Sequence, residues 1–395
     1  MASHLLLQHL FDPLSNFHKS CFLNCCKKPG EVMQSKPTLV KLLLSTAIAA
    51  AFASPALAQT SVNVEGIYDV YVGSMKNSGD AGRTTKLDSG GMSTSYLGFK
   101  GAEDLGGGLK ATFTLGAFFR GDTGSSGRFN GDTFFARDAN VGLSGSFGAV
   151  TLGRSISPVT LPVFLFNPVG DSFALSPLVL HKAVSTNAWT NSFAGDTGWS
   201  NAIRYTTPSI GGLTANVYYQ LGEQVGGAGK KNVGGNVLYF NGPLSLTVAY
   251  HDVEVNNPVD NTASGPSIVK SIPVTATTNV TAAEQKLWLI GGAYNFNVVK
   301  VFATYDQAKH DVDLRDKTGT LGVSIPTGAA GKILGAVAQT RRTSNAFDER
   351  RRTTYSVGYD YSLSKRTELY AFLLNDKVTS FENEQSLALG VRHRF

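Results

Sequence analysis

Apolar and polar residues alternate one by one along most of this chain, up to its last residue. In the final segment, 385–395, Leu387, Leu389, Val391 and Phe395 share one face at the two-residue period of a β-strand. His393 is the one polar intruder on that face, and Ser386, Gly390, Arg392 and Arg394 lie opposite. Terminal residues usually bury little and fray, so an amphipathic strand ending the chain is expected to close something. Earlier segments repeat the pattern. Val62, Val64, Tyr68, Val70 and Val72 oppose Asn63, Glu65 and Asp69, and Leu109, Ala111, Phe113, Leu115, Ala117 and Phe119 oppose Lys110, Thr112, Thr114 and Arg120. Similar runs begin at Leu213, Leu244 and Tyr355.

The connections come in two lengths. Tight ones carry turn residues at 103–108, 208–212, 241–243, 326–328 and 362–365. Long ones are polar or irregular, at 74–91, 121–132, 155–198, 256–282 and 341–350. Alternation of short with long is the signature of a meander whose tight turns gather at one end, as in a membrane barrel. About sixteen strands are expected, although 283–338 is poorly punctuated. At roughly 10 residues per tilted strand they use about 160 residues. A barrel of that size keeps a water-filled lumen, whereas eight strands are filled by side chains. A soluble β-sandwich would alternate too, with its apolar face inward. Aromatic pairs near strand ends (Tyr68 and Tyr71, Phe118 and Phe119, Tyr218 and Tyr219, Tyr239 and Phe240, Tyr359 and Tyr361) favour the barrel, because aromatic girdles sit at lipid–water boundaries.

The first residues follow another pattern. Lys36 and Lys41 precede an apolar run from Leu42 to Phe52, and Ala56 and Ala58 fit signal-peptidase cleavage after Ala58. Residues 33–58 therefore read as a signal peptide and 59–395 as the barrel domain. Residues 1–32, with Asp12 and Glu31 ahead of Met33, read as an extension from a start codon assigned too early. All three cysteines lie in that extension, so residues 59–395 offer neither a disulfide framework nor a cysteine–zinc site. Beyond Ala58 there are 30 Lys and Arg against 27 Asp and Glu, a net of +3 that does not argue for nucleic acid.

Two segments carry a resemblance. Residues 97–111 (LGFKGAEDLGGGLKA), read with 141–154 (VGLSGSFGAVTLGR), resemble the Gram-negative general porins, in particular the trimeric porins of β-proteobacteria. Segments 201–205, 241–244, 359–370 and 390–395 match in family order. The resemblance implies an all-β, sixteen-stranded transmembrane antiparallel barrel, a homotrimer, and passive diffusion of ions and small hydrophilic solutes through a channel in the bacterial outer membrane. It implies partners in outer-membrane lipid and lipopolysaccharide, and in the barrel-assembly machinery, which would read the strand ending in Phe395. It also implies a long third loop, here 155–198, folded into the lumen. Four prolines and the apolar stretch 163–166 suit such a loop. Its acids are Asp171 and Asp196.

A pore sorts solutes by size and by the charge at its narrowest point. Arg154 and Arg137 fall on the family's arginine positions, and Lys100, Arg120 and Arg204 alternate toward the lumen. Strict alternation from Val141 would aim Arg137 at lipid, so a bulge is expected there. Tyr96 and Gly198 stand where the family usually has arginine. The resulting expectation is a weak anion preference, set by Lys100, Arg120, Arg137, Arg154 and Arg204 against Asp171, with Tyr96 in the same constriction.

Other chemistries find little support. Gly106–Gly108 lacks the helix and Lys-Ser/Thr of a phosphate loop. The histidines beyond Ala58 have no metal-ligand spacing, and His310-Asp311 reads as a lone pair in a loop. No cofactor, metal or catalytic group is expected. Arg341, Arg342 and Arg350–Arg352 flank one loop and read first as its solvated rim, with a site for lipopolysaccharide phosphates or a charged pore mouth as the functional readings. The alternatives to a general porin are a substrate-specific channel with a binding site and an adhesive or structural barrel.

Overall fold

The computed structural model describes residues 61–223, 231–254, 270–273, 279–282 and 284–395. The proposed signal peptide and the segment before it lie outside the described residues. The first wall strands are β1 (Ser61–Met75), β2 (Thr84–Ser89), β3 (Tyr96–Gly106), β4 (Leu109–Phe118), β5 (Asp138–Gly145) and β6 (Gly148–Ile156). After a loop carrying helices α1 (Thr160–Leu165) and α2 (Pro177–Ala183) come β7 (Gly198–Thr206), β8 (Leu213–Gln220), β9 (Asn232–Asn241) and β10 (Leu244–Val253). A separate ribbon pairs β11 (Lys270–Pro273) with β12 (Asn279–Ala282). The wall resumes with β13 (Gln285–Asn295), β14 (Lys300–His310), β15 (Leu314–Pro326) and β16 (Gly331–Ser344). It ends with β17 (Phe347–Ser362), β18 (Thr367–Val378) and β19 (Glu384–Arg394).

Each wall strand pairs antiparallel with its neighbour, and β1 closes the ring on β19, from Ile67↔Arg394 to Ser74↔Leu387. The other edge of β1 is shared: Ser61–Ile67 pair with β3 and Val70–Met75 with β2. Thus β2 and β3 occupy one wall position between them, and the barrel has sixteen. The last residue completes the closure. Phe395 and Gly66 exchange backbone hydrogen bonds of 3.0 and 3.1 Å, and the Phe395 ring lies over Gly66 where a Cβ would collide with it.

The barrel is inside-out relative to a soluble protein. Outward positions are exposed and apolar, for example Val248, Ile290, Leu321, Val357, Leu373 and Leu389. Inward positions are polar and buried, among them Asp306, Asp316, Thr340, Arg352 and Asp376. Only hydrocarbon satisfies such an outer face, and only a closed barrel leaves no unpaired strand edge in it. Outward aromatics form two belts. Phe147, Tyr205, Phe240, Tyr294, Tyr359 and Tyr361 lie near the tight turns, and Tyr219, Tyr250, Trp288, Tyr305 and Tyr355 lie toward the loops. Among the described residues no helix is long and apolar enough to cross a membrane.

Two expectations about the later part of the chain need correction. The supposed loop 341–350 is a tight hairpin: Ser344 pairs with Phe347, and only Asn345 and Ala346 lie between the strands. Its arginines look loop-like in sequence but alternate across the wall, and the inward Arg342 and Arg352 meet acids on adjacent strands. His310 is likewise not in a loop. It is the last residue of β14, buried, with its ring nitrogen 3.0 Å from Gln285 Nε2. The poorly punctuated stretch resolves into β13, β14, β15 and half of β16.

Candidate functional site

The β6–β7 loop folds into the lumen and packs against the far wall. Pro177 at the first turn and Ser176, which accepts from the Val179 N–H, start α2. Val159 and Val163 bury against Ala249, Leu287, Leu289 and Ala308, and Phe166 against Leu238, Ala293 and Phe302. Charge fixes the rest. Lys182 pairs with Asp306 and donates to Thr318 Oγ1 at 2.8 Å. Both His181 ring nitrogens sit 2.8 Å from hydroxyls, Nδ1 from Thr340 and Nε2 from Thr354. Arg342 donates to Asp316 and to the Thr190 carbonyl, while Arg352 holds Asp376 at 2.9 Å and Arg350 reaches the Ala188 carbonyl. Burial first, then Arg352, Lys182 and Arg342, hold the His181 imidazole well below its ordinary value, so it is neutral.

This leaves the open path on the opposite side, between the loop and β1–β5. Two cavities there share Thr94, Arg128 and Phe173. The one nearer the loop end, about 640 Å³, is lined by Lys86, Asp88, Arg120 and Arg128 among others. The narrower one, about 210 Å³, is lined by Tyr96, Arg128, Arg137, Asp138 and Asp171.

Asp69 shapes this region from behind. Its carboxylate accepts from the backbone N–H groups of Gly91, Met92 and Ser93 and from the Tyr370 hydroxyl. The fixed Ser93 hydroxyl then donates to Asp171 at 2.8 Å, and the Ser172 hydroxyl donates to the Gly91 carbonyl. The segment between β2 and β3 is therefore a strut that positions the loop's acid.

The residues singled out in the sequence take different places. Tyr96, Arg120, Arg137 and Asp171 line the cavities. Arg137 needs no bulge, since the β5 ladder begins at Asp138 and alternation does not bind the residue before it. Lys100 points inward nearer the tight-turn end and pairs with Glu65 at 2.6 Å. Arg204 also points inward, with Nη2 3.3 Å from Thr151 Oγ1, and lines neither cavity.

Arg154 departs furthest from expectation as a pore charge. It is buried, with its guanidinium bound to the carbonyls of Ala136 and Gly198, the Ser200 hydroxyl and Asp196. The bulge lies here instead. Gly153 has φ +113°, Asn201 has φ +51°, and the β6–β7 register shifts between Gly153 and Ser155. That turn carries Arg154 off the lipid face and makes it a clamp at the base of the loop.

Sequence reading missed Arg128. It sits in a loop, where no periodicity predicts direction, although Asp132 four residues on is a local clue. It forks onto Asp132 and Asp196 with contacts of 2.8–3.1 Å, so the β4–β5 loop is tied to the β6–β7 loop at the pore. Burial opposes its charge, but the two carboxylates outweigh burial and raise its affinity for the proton. Burial likewise pushes Asp196 up, and Arg128 and Arg154 overcome this to hold it below the usual carboxylate range. Lys86, Asp88 and Asp138 were also missed.

The arrangement is a ring of opposed charges in a water-accessible path through a lipid-facing barrel. Known proteins resemble this chain in sequence and in fold. The sequence pattern described as Gram-negative porin matches residues 45–379. Outer membrane porin protein 32 of Delftia acidovorans is 31% identical over 90% of this chain and 99% of its own length. An outer membrane porin protein of Bordetella pertussis is 28% identical over 90% of this chain and 100% of its own. Among solved structures, an anion-selective porin from Comamonas acidovorans superposes with a TM-score of 0.67 at 27% identity, over 85% of this chain and 100% of that one. The protein belongs to the Gram-negative porin family and is an outer-membrane porin, a channel and not an enzyme.

Proposed function

We propose that this channel passes ions and small hydrophilic solutes with a weak preference for anions, and that Arg120 and Arg137, opposed by Asp171, set that preference. The observation that carries this reading is the unequal pairing of charges around the two cavities. Lys86 is paired with Asp88, and Arg128 is neutralised by Asp132 and Asp196. Arg137 holds Asp138 only loosely at 3.6 Å, and Arg120 contacts the neutral Asn130 side chain at 2.8 Å. Asp171 is the acid that faces them. The surplus is small, hence a weak preference. The anion selectivity named for the Comamonas structure points the same way. Reversal potentials across a planar bilayer in a salt gradient test it: an anion-favouring potential is expected, and a cation-favouring one refutes it. Liposome swelling with graded sugars should show a size cut-off without saturation, as expected of a general porin.

The same reading takes the chain as a homotrimer, delivered by the barrel-assembly machinery, whose residues 33–58 are removed. Step conductance in multiples of three tests the trimer. Amino-terminal sequencing of the envelope protein should begin near Gln59, and any recovered peptide from residues 2–32 would contradict the start proposed at Met33.

A further inference from the structure

We propose that Asn130 is a site of spontaneous deamidation, activated by Arg120, and that the carboxylate it becomes lowers the anion preference of the channel. The dipeptide Asn-Gly occurs twice in the chain, at Asn130-Gly131 and at Asn241-Gly242. An asparagine followed by glycine is chemically vulnerable, because no Cβ shields the next backbone nitrogen or restricts its approach to the side-chain amide. The two sites differ in what surrounds them.

Asn130 and Gly131 lie in the β4–β5 loop, and both are exposed. Gly131 has φ +86°, and an added Cβ there would meet nothing within 4 Å. Among the described residues nothing accepts a hydrogen bond from its N–H. The Asn130 amide oxygen accepts from Arg120 Nη2 at 2.8 Å. Attack of the Gly131 nitrogen on Cγ develops negative charge on that oxygen, where the guanidinium stabilises it as an oxyanion-hole donor does. The new N–Cγ bond forms, the Gly131 proton passes to solvent, and the Cγ–Nδ2 bond breaks with release of ammonia. Water then opens the cyclic imide at either carbonyl and leaves aspartate or isoaspartate. No redox change is involved. Asn241 is placed differently. It ends β9 in the ladder pair Leu244↔Asn241, and its amide meets the neutral Tyr239 hydroxyl at 3.0 Å, with no cation on it among the described residues.

The product matters because of where Arg120 stands. Arg120 lines the wider lumen cavity, and its buried Nε has no hydrogen-bond partner. Its guanidinium meets the Asn130 amide, and among the described residues no carboxylate lies within ion-pair distance of it. Nε and Nη2 share one edge of the guanidinium, the edge that a carboxylate grips at two points. Exchanging amide for acid therefore gives this arginine a full counter-charge without moving the chain. The consequence rests on the reading that Arg120 helps set the selectivity, and it leaves Arg137 untouched.

The test ages the detergent-purified channel at neutral pH and follows both sites by tryptic peptide mass and by isoaspartyl methyltransferase labelling. Peptide 129–137 should convert severalfold faster than the peptide holding Asn241, and in the urea-unfolded chain the two should convert alike. Arg120→Met should slow conversion at Asn130 and leave Asn241 unchanged. Reversal potentials in a salt gradient read the consequence. Asn130→Asp should shift the potential toward cations, Asn130→Gln should hold the wild-type value, and aged wild type should drift toward Asn130→Asp. Conversion at Asn130 no faster than at Asn241, undiminished in Arg120→Met, or still faster after unfolding overturns the proposal. An unmoved potential in Asn130→Asp does so too where Arg120→Met shifts it. If neither variant shifts it, the selectivity reading of Arg120 fails and takes the consequence with it, and the peptide maps distinguish that failure from a failure of the chemistry.

Discussion

The guanidinium carbon of Arg137 lies 3.7 Å from the centroid of the Tyr96 ring, and both side chains line the narrower lumen cavity. An aromatic face attracts a cation through its quadrupole, by about 0.5–2 kcal/mol depending on desolvation. Tyr96 is therefore the floor on which Arg137 rests, held away from a tighter pairing with Asp138. Arg137→Glu should move the reversal potential toward cations by several-fold in permeability ratio, since one charge at about 4 Å in water is worth about 1 kcal/mol. Tyr96→Ala should act in the same direction and more weakly, by letting Arg137 settle on Asp138. An unchanged potential in Arg137→Glu would remove this residue from the selectivity ring.

Lys182 and Asp306 form a fully buried pair between the inward loop and β14. Removing one partner leaves a buried charge uncompensated, at a cost of about 3–5 kcal/mol. Lys182→Met should accordingly loosen the loop, seen as noisy or larger conductance steps, while the barrel remains assembled. Adding Asp306→Leu should restore most of the quiet current. A double variant as noisy as the single one would show that the pair does more than neutralise itself.

Acidification should act through His181. Its folded affinity for the proton is lowered, so its contribution to docking is fully present above the ordinary histidine value of 6.5 and declines as pH falls below it. The loss is about 1.4 kcal/mol per pH unit for one proton, until the folded value is reached. Protonation would set a cation beside Arg352, Lys182 and Arg342. Asp196, held below its ordinary 3.8, keeps its charge through this window. Protection of the α2 amides from hydrogen exchange, corrected for the intrinsic base-catalysed rate at each pH, should fall between pH 7 and 5, and the difference in slope between wild type and His181→Gln isolates this proton. Identical slopes would exclude His181 as the cause.

Deleting Phe395 should remove both of its backbone bonds with Gly66 and uncover Gly66 itself. Assembled protein in the outer membrane should drop several-fold by heat-modifiable gel migration. Phe395→Tyr, which keeps the ring and both backbone bonds, should assemble normally. Full assembly of the deletion would show that neither closure nor delivery depends on this residue.

The barrel was legible because strand alternation is local: Leu387, Leu389 and Val391 declare their face within five residues, and the lipid-facing wall repeats that statement around the ring. The long third loop was legible from its length, and its inward folding was what the family resemblance implied, with its prolines and the apolar stretch 163–166 suiting it. The constriction was less so. Arg154 has the parity of an outward residue and is turned inward by Gly153 and Asn201, whose positive φ values no alternation count contains. Arg128 sits where the chain has no period, and its direction is set by Asp196, 68 residues later. Arg342 and Arg352 of the β16–β17 hairpin looked like part of a solvated rim because their partners, Asp316 and Asp376, lie on other strands.

The inward loop follows the sixth strand in the chain, yet its charged anchors are Asp306, Asp316, Arg342 and Arg352, on strands made more than a hundred residues later. Contacts so distant in sequence form late, because loop-closure entropy is lost before they stabilise anything. Until those strands join, α2 has no counter-charge for Lys182 and no hydroxyl pair for His181. The pore is therefore wide before it is narrow: the wall must be nearly complete before its own gate has anywhere to fasten.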